Sequence, residues 1–264
     1  MPLFSIATPC FNSEKTIERT IKSILAQDYK DYEYIIVDGG STDGTIEIIR
    51  KYASLFEGRM SWKSERDKGL YDAFNKGVAR SNGTYCWNVN SDDYLESDAL
   101  SYFASIIEKY DSKDLPVISA ALNFIDERTG KSLYVERTSE EHANMVRKFD
   151  YAGIAHPATI VPKAVYDKWG TFDDRYKLLA DTEWCLRMYR HYVPFVYVDK
   201  VVINMSNGGL TGNMGWKRFK INRKDRKLFF KEYYKNPIER YARLLFWDLD
   251  FLRVAMKNVI KQQK

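Results

Sequence analysis

The sequence predicts an α/β fold with a central, mostly parallel sheet flanked by helices. Three observations carry that expectation. Short β-rich runs alternate with stretches of helical periodicity through the first 95 residues, a pattern that makes a parallel sheet covered by helices. Polar, glycine-bearing loops follow the strands, and in such sheets ligands bind beyond the carboxyl ends of strands. The chain of 264 residues has no repeat or low-complexity tract, so it reads as one large domain or a domain with an appendage.

The elements follow in order. "LFSIAT" (3–8) is a β-rich run stopped by Pro9, and "TIERTIKSILAQ" is a helix with Ile17, Ile21, Ile24 and Leu25 on one face, capped by Asn12 or Ser13. "YEYIIVD" is a buried-type strand that breaks into a glycine turn, and "TIEIIRKYASLF" is the second helix. "MSWKSE", "GLYDAFNKGVARSNG" and "TYCWNVNSDD" supply a strand, a helix and a fourth strand. After residue 95 the pattern loosens into a helix (97–110), a strand with a hairpin ("PVISAAL", "NFIDERTGKSLYVE"), a strand ("HPATIV"), a helix ("DTEWCLRMYRHY") and a β-rich run ending in "NGGLTGN". The remainder is helical and basic.

Composition narrows the setting. Three cysteines, Cys10, Cys86 and Cys185, lack metal-ligand spacing and predict reduced thiols in a cytosolic chain. The first residues lack the basic region of a signal peptide. No run approaches the roughly 20 apolar residues of a membrane-spanning helix. The net charge of +5 hides an asymmetry: from Gly215 onward there are 15 Lys/Arg and 5 Asp/Glu, leaving 26 basic and 31 acidic residues before it.

Four motifs could carry chemistry, each with a plainer structural explanation beside it. In "NSDDYL", Asp92 and Asp93 could hold a hard dication, since Mg²⁺ takes one or two carboxylates plus substrate phosphates; for that stretch alone, turn chemistry and a cap for the helix over 97–110 are the favoured explanation. "VDGGSTDGT" permits close ligand approach, with Asp38 accepting hydrogen bonds from a base or ribose, yet it also suits an ordinary β-to-α turn. It matches neither GxGxxG nor GxxxxGK[ST]. In "SERDKGLYDAFNKG", Arg66 and Lys68 could meet phosphate charge and Asp67 hydroxyls. In "LLADTEWCLRMYRH", Asp181 could be a general base or a helix cap, and Glu183 lies two residues on. His156 is a weaker candidate.

Taken together, "SIATPCFNSEKTIERTIKSILAQDY", "IIVDGGSTDGT", "SERDKGLYDAFNKG", "NVNSDDYL", "VYDKWGTFDDRY" and "ADTEWCLRMYRH" resemble the successive signatures of family 2 glycosyltransferases with the GT-A fold. The resemblance covers about residues 3–210. It implies inverting transfer of a sugar from a nucleoside diphosphate donor, a UDP-sugar first among the choices, to a carbohydrate or lipid-linked saccharide acceptor, in synthesis of a bacterial surface polysaccharide or glycolipid. Pro9 and Phe11 would lie against the base with Asn12 among the nucleotide contacts, Asp38 would hydrogen-bond the base, and Arg66 and Asp67 would approach the nucleotide. Asp92 and Asp93 would hold Mn²⁺ or Mg²⁺ on the donor diphosphate. Asp181 would be the base, with Glu183 the second choice. Two positions depart from the family pattern: Gly39 follows Asp38 where a second carboxylate is usual, and Asn90 stands where an Asp usually opens the metal motif.

The expected division is a GT-A domain over 1–214 and a basic amphipathic helical extension over 215–264. In the extension Tyr241, Leu245, Leu249, Leu252, Met256 and Val259 recur every three or four residues. That stripe could lie on an anionic membrane at the inner face of the cell membrane, or pack on the catalytic domain or a second copy. No nucleic-acid module accompanies the charge, so nucleic acid is not an expected partner. Two rivals stay open: a nucleotidyltransferase acting on sugar phosphates, and a non-catalytic scaffold of a polysaccharide assembly complex.

Overall fold

A computed structural model of the chain describes residues 1–206 and 216–262, without the side chains of Lys217 and of 254–262. The predicted "NGGLTGN" loop and the end of the apolar stripe, Met256 and Val259, lie outside what is described.

β1 (Phe4–Cys10) is buried along its whole length. It pairs in parallel with β2 (Tyr32–Asp38) on one side and β4 (Tyr85–Asn88) on the other, and β2 pairs in parallel with β3 (Met60–Ser64). All four strands therefore point the same way and deliver Cys10, Asp38, Ser64 and Asn88 to one edge. Beyond β4 the direction changes. β8 (Thr159–Pro162) is antiparallel to β4 and to β6 (Val117–Ile125), β9 (Phe195–Ser206) is parallel to β6, and the two-residue β5 (Tyr94–Leu95) closes the far edge against β9. β7 (Ser132–Glu136) forms the expected hairpin with β6.

Alternation along the strands sorts side chains into two cores. Phe4, Ile6, Tyr34, Ile36 and Trp87 face α1 (Ile17–Leu25), α2 (Thr45–Ala53) and α4 (Ala99–Ile107). Cys86, Val117 and Val161 face α3 (Leu70–Arg80), α6 (Lys163–Trp169) and α7 (Ala180–Arg190). α3 lies tight on β1: a Cβ on Gly77 would come within 2.7 Å of the Ala7 Cβ, so only glycine permits that approach. α5 (Glu140–Arg147) is capped by the Ser139 hydroxyl, which accepts the His142 N–H at 3.1 Å.

Two local expectations are corrected. The fourth strand stops at Asn88 instead of running through Asp93, because 90–93 turns back with the Asp93 N–H bonded to the Asn90 carbonyl at 3.2 Å. α1 has no side-chain cap; the Ser13 carbonyl accepts the N–H groups of Thr16 and Ile17, while the side chains of Asn12 and Ser13 reach other loops.

The C-terminal segment forms α8 (Trp216–Tyr233) and α9 (Pro237–Gln262). Phe229, Phe230 and Leu244 are buried in the second core with Tyr166, Tyr176 and Trp184. The predicted stripe faces away from that core: Tyr241 is 68% exposed and Leu249 57%.

Candidate active site

The loops that follow β1 and β2 are stitched to one another at the sheet edge. Asn12 adopts a left-handed backbone (φ 50°), a conformation asparagine tolerates better than most residues. Its amide N–H donates to Ser41 Oγ at 2.8 Å and its Oδ1 accepts the Thr42 N–H at 2.9 Å. Ser13 and Ser91 share a hydroxyl–hydroxyl bond of 2.9 Å, joining the first loop to the aspartate turn.

Asp38, expected to meet a base or ribose, is fully buried. Its Oδ2 accepts the N–H groups of Gly40 and Ser41 at 3.0 and 2.9 Å and the Ser64 hydroxyl at 2.6 Å, while Oδ1 accepts the Ser41 hydroxyl and, at 3.6 Å, the Cys10 thiol. Burial opposes its charge, but the bonds from Ser41, Ser64 and Gly40 outweigh burial and hold the carboxyl below its ordinary value. Here Asp38 shapes the turn, and a direct base contact would displace a bond already made. Pro9 is likewise buried, in β1 opposite Val37. Phe11 presents its ring to solvent, 61% exposed.

Gly39 explains its own departure from the family pattern. A Cβ there would stand 2.5 Å from Asp67 Oδ2 and 3.4 Å from the Phe11 ring. Asp67 thus reaches over the turn from the β3–α3 loop, its Oδ1 held by the Gly69 N–H at 2.9 Å. The exposed Arg66 lies beside it, with its Cγ 3.7 Å from where a Gly40 Cβ would be.

The aspartate turn is held from below by α1. Arg19 Nη2 donates to the Asp92 carbonyl at 2.6 Å and Thr20 Oγ1 to the Asp93 carbonyl at 2.6 Å. Asp93 is 1% exposed; its Oδ1 accepts the Ser206 N–H at 3.3 Å and its Oδ2 the Asn90 amide at 3.0 Å. Burial and then the Asp92 charge push its carboxyl up to about 7. Burial raises Asp92 too, and Glu127 adds to it. No described group bonds to the Asp92 carboxylate from another residue.

Two carboxylates in a low-dielectric turn repel unless a cation sits between them and substrate. The donor set is oxygen only, which suits a hard dication. No cluster of three or more His, Cys, Asp or Glu side chains gathers for a metal among the described residues, so the remaining ligands would come from donor phosphates and water.

Asp181 opens α7 on the wall of a cavity of about 670 Å³, which Asn90, His156 and Glu136 also line. Its Oδ1 accepts the Tyr71 hydroxyl at 3.2 Å and the Thr182 N–H at 2.7 Å. Burial, and then Asp181, keep the Tyr71 phenol protonated and therefore a donor. No described group bonds to Oδ2. Glu183, the second choice for base, points the other way. It is 4% exposed, pairs with Arg187 at 3.0 Å and accepts the Tyr233 hydroxyl, which makes it a tie between α7 and α8. His156 is wedged between the Phe74 and Phe172 rings, and burial lowers its pKa so that it stays neutral.

Sequence reasoning missed several positioning residues. Thr20 interrupts the apolar face of α1, a readable signal. Ser206 and Tyr71 left none. Asp225, deep in the basic tail, accepts with one oxygen the N–H groups of Lys177, Leu178 and Leu179 at 2.8, 2.7 and 3.2 Å, immediately ahead of the helix that carries Asp181.

Comparison with known proteins shows the family. The family model for glycosyl transferase family 2 matches residues 5–170. A PGL/p-HBAD biosynthesis glycosyltransferase of Mycobacterium bovis is 30% identical over 224 residues, covering 83% of this chain and 82% of that protein. An uncharacterised glycosyltransferase of Rickettsia prowazekii is 27% identical over 76% of this chain and 63% of its own length. Among solved structures, S. aureus TarS 1–349 with UDP-GlcNAc superposes with a TM-score of 0.65 at 21% identity, covering 91% of this chain and 70% of that one; the chain spans 42% of a longer TarS structure. The mannosyltransferase PcManGT of Pyrobaculum calidifontis, in complex with GDP-Man and Mn²⁺, gives 0.67 at 16% identity over 98% and 75%. This chain belongs to glycosyl transferase family 2 and is a glycosyltransferase built on the GT-A fold.

Proposed function

We propose that the enzyme transfers a sugar from a nucleoside diphosphate donor, with a UDP-sugar favoured, to an acceptor hydroxyl with inversion at the anomeric carbon. The observation that carries this reading is the placement of Asp181. Its carboxylate lines the large cavity, Tyr71 and Thr182 hold one oxygen, and the other is left for an acceptor proton. Asn90 lines the same cavity and bonds to Asp93, so the acceptor side and the aspartate turn adjoin. The acceptor hydroxyl gives its proton to Asp181 as its oxygen attacks the face opposite the leaving diphosphate.

The exposed Phe11 and Arg66 and the half-buried Asp67 form the rim that receives the nucleotide, with Asn12 and Asp38 setting the shape of that rim. Asp92 and Asp93 would hold Mn²⁺ or Mg²⁺, which neutralises the charge of the departing diphosphate. A solved relative of the same fold carries GDP-Man and Mn²⁺ and another UDP-GlcNAc, which supports the ligand classes. Mycobacterial relatives named for PGL/p-HBAD biosynthesis support a surface glycolipid or polysaccharide as the setting.

The test is Asp181→Asn. Transfer should fall by about 100-fold or more, the scale of a lost general base, while calorimetric binding of UDP with Mn²⁺ stays unchanged. Full activity in the variant, or lost nucleotide binding, would remove Asp181 from the role of base. Binding of UDP that is indifferent to chelation of the metal would remove the dication.

A further inference from the structure

α8 and α9 present two exposed rows on their outward sides. On α8, Lys220, Lys224, Lys227 and Lys231 are all exposed, and their spacing of four, three and four residues places them on one helical face. Asp225 and Phe229, which face the core, lie on the opposite side of that helix. No ion pair or hydrogen bond of these four lysines occurs among the described residues. On α9, Ile238, Tyr241, Leu245, Leu249 and Leu252 recur at three- and four-residue steps and are 80, 68, 46, 57 and 42% exposed. Trp247, which packs inward, lies on the opposite side of that helix.

The two helices pack side by side. Phe219 meets Phe251 with ring centroids 4.6 Å apart, Arg223 pairs with Asp248 at 2.9 Å, and the Arg226 guanidinium stacks on Trp247. Both outward rows therefore share one surface of the molecule, a band of cations beside a band of apolar side chains.

We propose that this surface docks on an anionic lipid bilayer. Lysines meet phosphate headgroups while the apolar row enters the headgroup–acyl boundary, the way an interfacial amphipathic helix binds. A second copy of the chain fits less well. A two-fold contact is self-complementary, and it would bring two lysine-lined surfaces together with no acidic row to answer them.

Contacts from α9 to the body of the protein give the docking a consequence. Arg243 pairs with Asp150 at 2.6 Å, the Tyr151 hydroxyl donates to Asp250 at 3.0 Å, and Phe246 stacks on Phe149. Residues 151–154 line the cavity that holds Asp181. Docking would hold that cavity close to the bilayer, and, resting on the transfer chemistry proposed above, this suits an acceptor hydroxyl carried by a membrane lipid.

The test is sedimentation of the full-length protein with vesicles of phosphatidylglycerol, and separately of phosphatidylcholine. Binding is expected to phosphatidylglycerol and to weaken as salt rises. Replacing Lys220, Lys224 and Lys227 by Gln should lower it by about two orders of magnitude, at about fivefold per lysine. Leu245→Asp with Leu249→Asp should abolish it, with circular dichroism unchanged because both side chains are exposed. No sedimentation of the full-length protein, or equal binding to both lipids, would overturn the proposal. So would a dimer in sedimentation velocity that the two leucine changes split and that binds no vesicles. Vesicle binding needs no turnover, so a chain that docks yet transfers no sugar would refute the transfer reading alone.

Discussion

The site rests on side chains whose neighbours decide their roles. Gly39 is the clearest case. Its φ is ordinary for any residue, but Asp67 fills the space where its Cβ would be. Gly39→Ala should leave thermal stability nearly unchanged, because a side-chain carboxylate can swing aside. Doing so breaks its bond to the Gly69 N–H, worth roughly 1 kcal/mol, and moves Asp67 off the nucleotide rim. Calorimetric titration with UDP and Mn²⁺ should show affinity about fivefold weaker; unchanged affinity would take Asp67 out of the site. Glu183 makes the opposite point. It stands two residues from Asp181 and also carries a carboxylate, yet it is buried against Arg187 and Tyr233. Glu183→Gln should cost about 3 kcal/mol in urea unfolding, since it leaves Arg187 short of its counter-charge. If activity vanished in this variant at full stability, the assignment of base between the two carboxylates would reverse.

At the scale of elements, two helices act as clamps on loops that carry charge. α1 grips the aspartate turn by its carbonyls through Arg19 and Thr20, so Asp92 is aimed without using its carboxylate, while the Asp93 carboxylate is held as well by Ser206 and Asn90. α7 has no local side-chain cap. Asp225 of α8 instead holds the three residues that lead into it, from 46 residues away in sequence, by accepting their N–H groups with one carboxylate oxygen. Asp225→Ala should destabilise the protein by about 3 kcal/mol, two or more bonds to a charged acceptor, and lower kcat with UDP affinity unchanged. Asp225→Asn should recover much of both, because one acceptor oxygen remains. An alanine variant with normal kcat would show that α7 positions Asp181 unaided.

On the scale of the whole molecule, the C-terminal helices are a wall of the second core. Phe229, Phe230 and Leu244 are buried there, and at about 2 kcal/mol each their removal is comparable with the 5–15 kcal/mol that separates folded from unfolded chains. A chain ending at residue 214 should therefore lose its cooperative thermal transition in circular dichroism. A truncated protein that melts like the full chain would restore the extension as a separate appendage.

The sequence by itself determined the parallel half of the sheet, the order of its helices and the placement of four polar loops on one edge. These follow from local periodicity and from the geometry of strand–helix alternation. It also put forward Asp92, Asp93 and Asp181 as candidates, although turn and cap chemistry explained them too and only the family resemblance gave them roles. Which carboxylates open on a cavity was decided only in three dimensions. Asp38 and Asp181 read alike along the chain, yet one is enclosed by the hydroxyls and amides of its own turn and the other opens on a cavity built from strands and loops far apart in sequence. Asp225 shows the same limit from the other side: nothing near it in the sequence names Lys177, Leu178 and Leu179. Such contacts arise when packing brings distant segments together, and hydrogen bonding then settles what each buried charge is free to do.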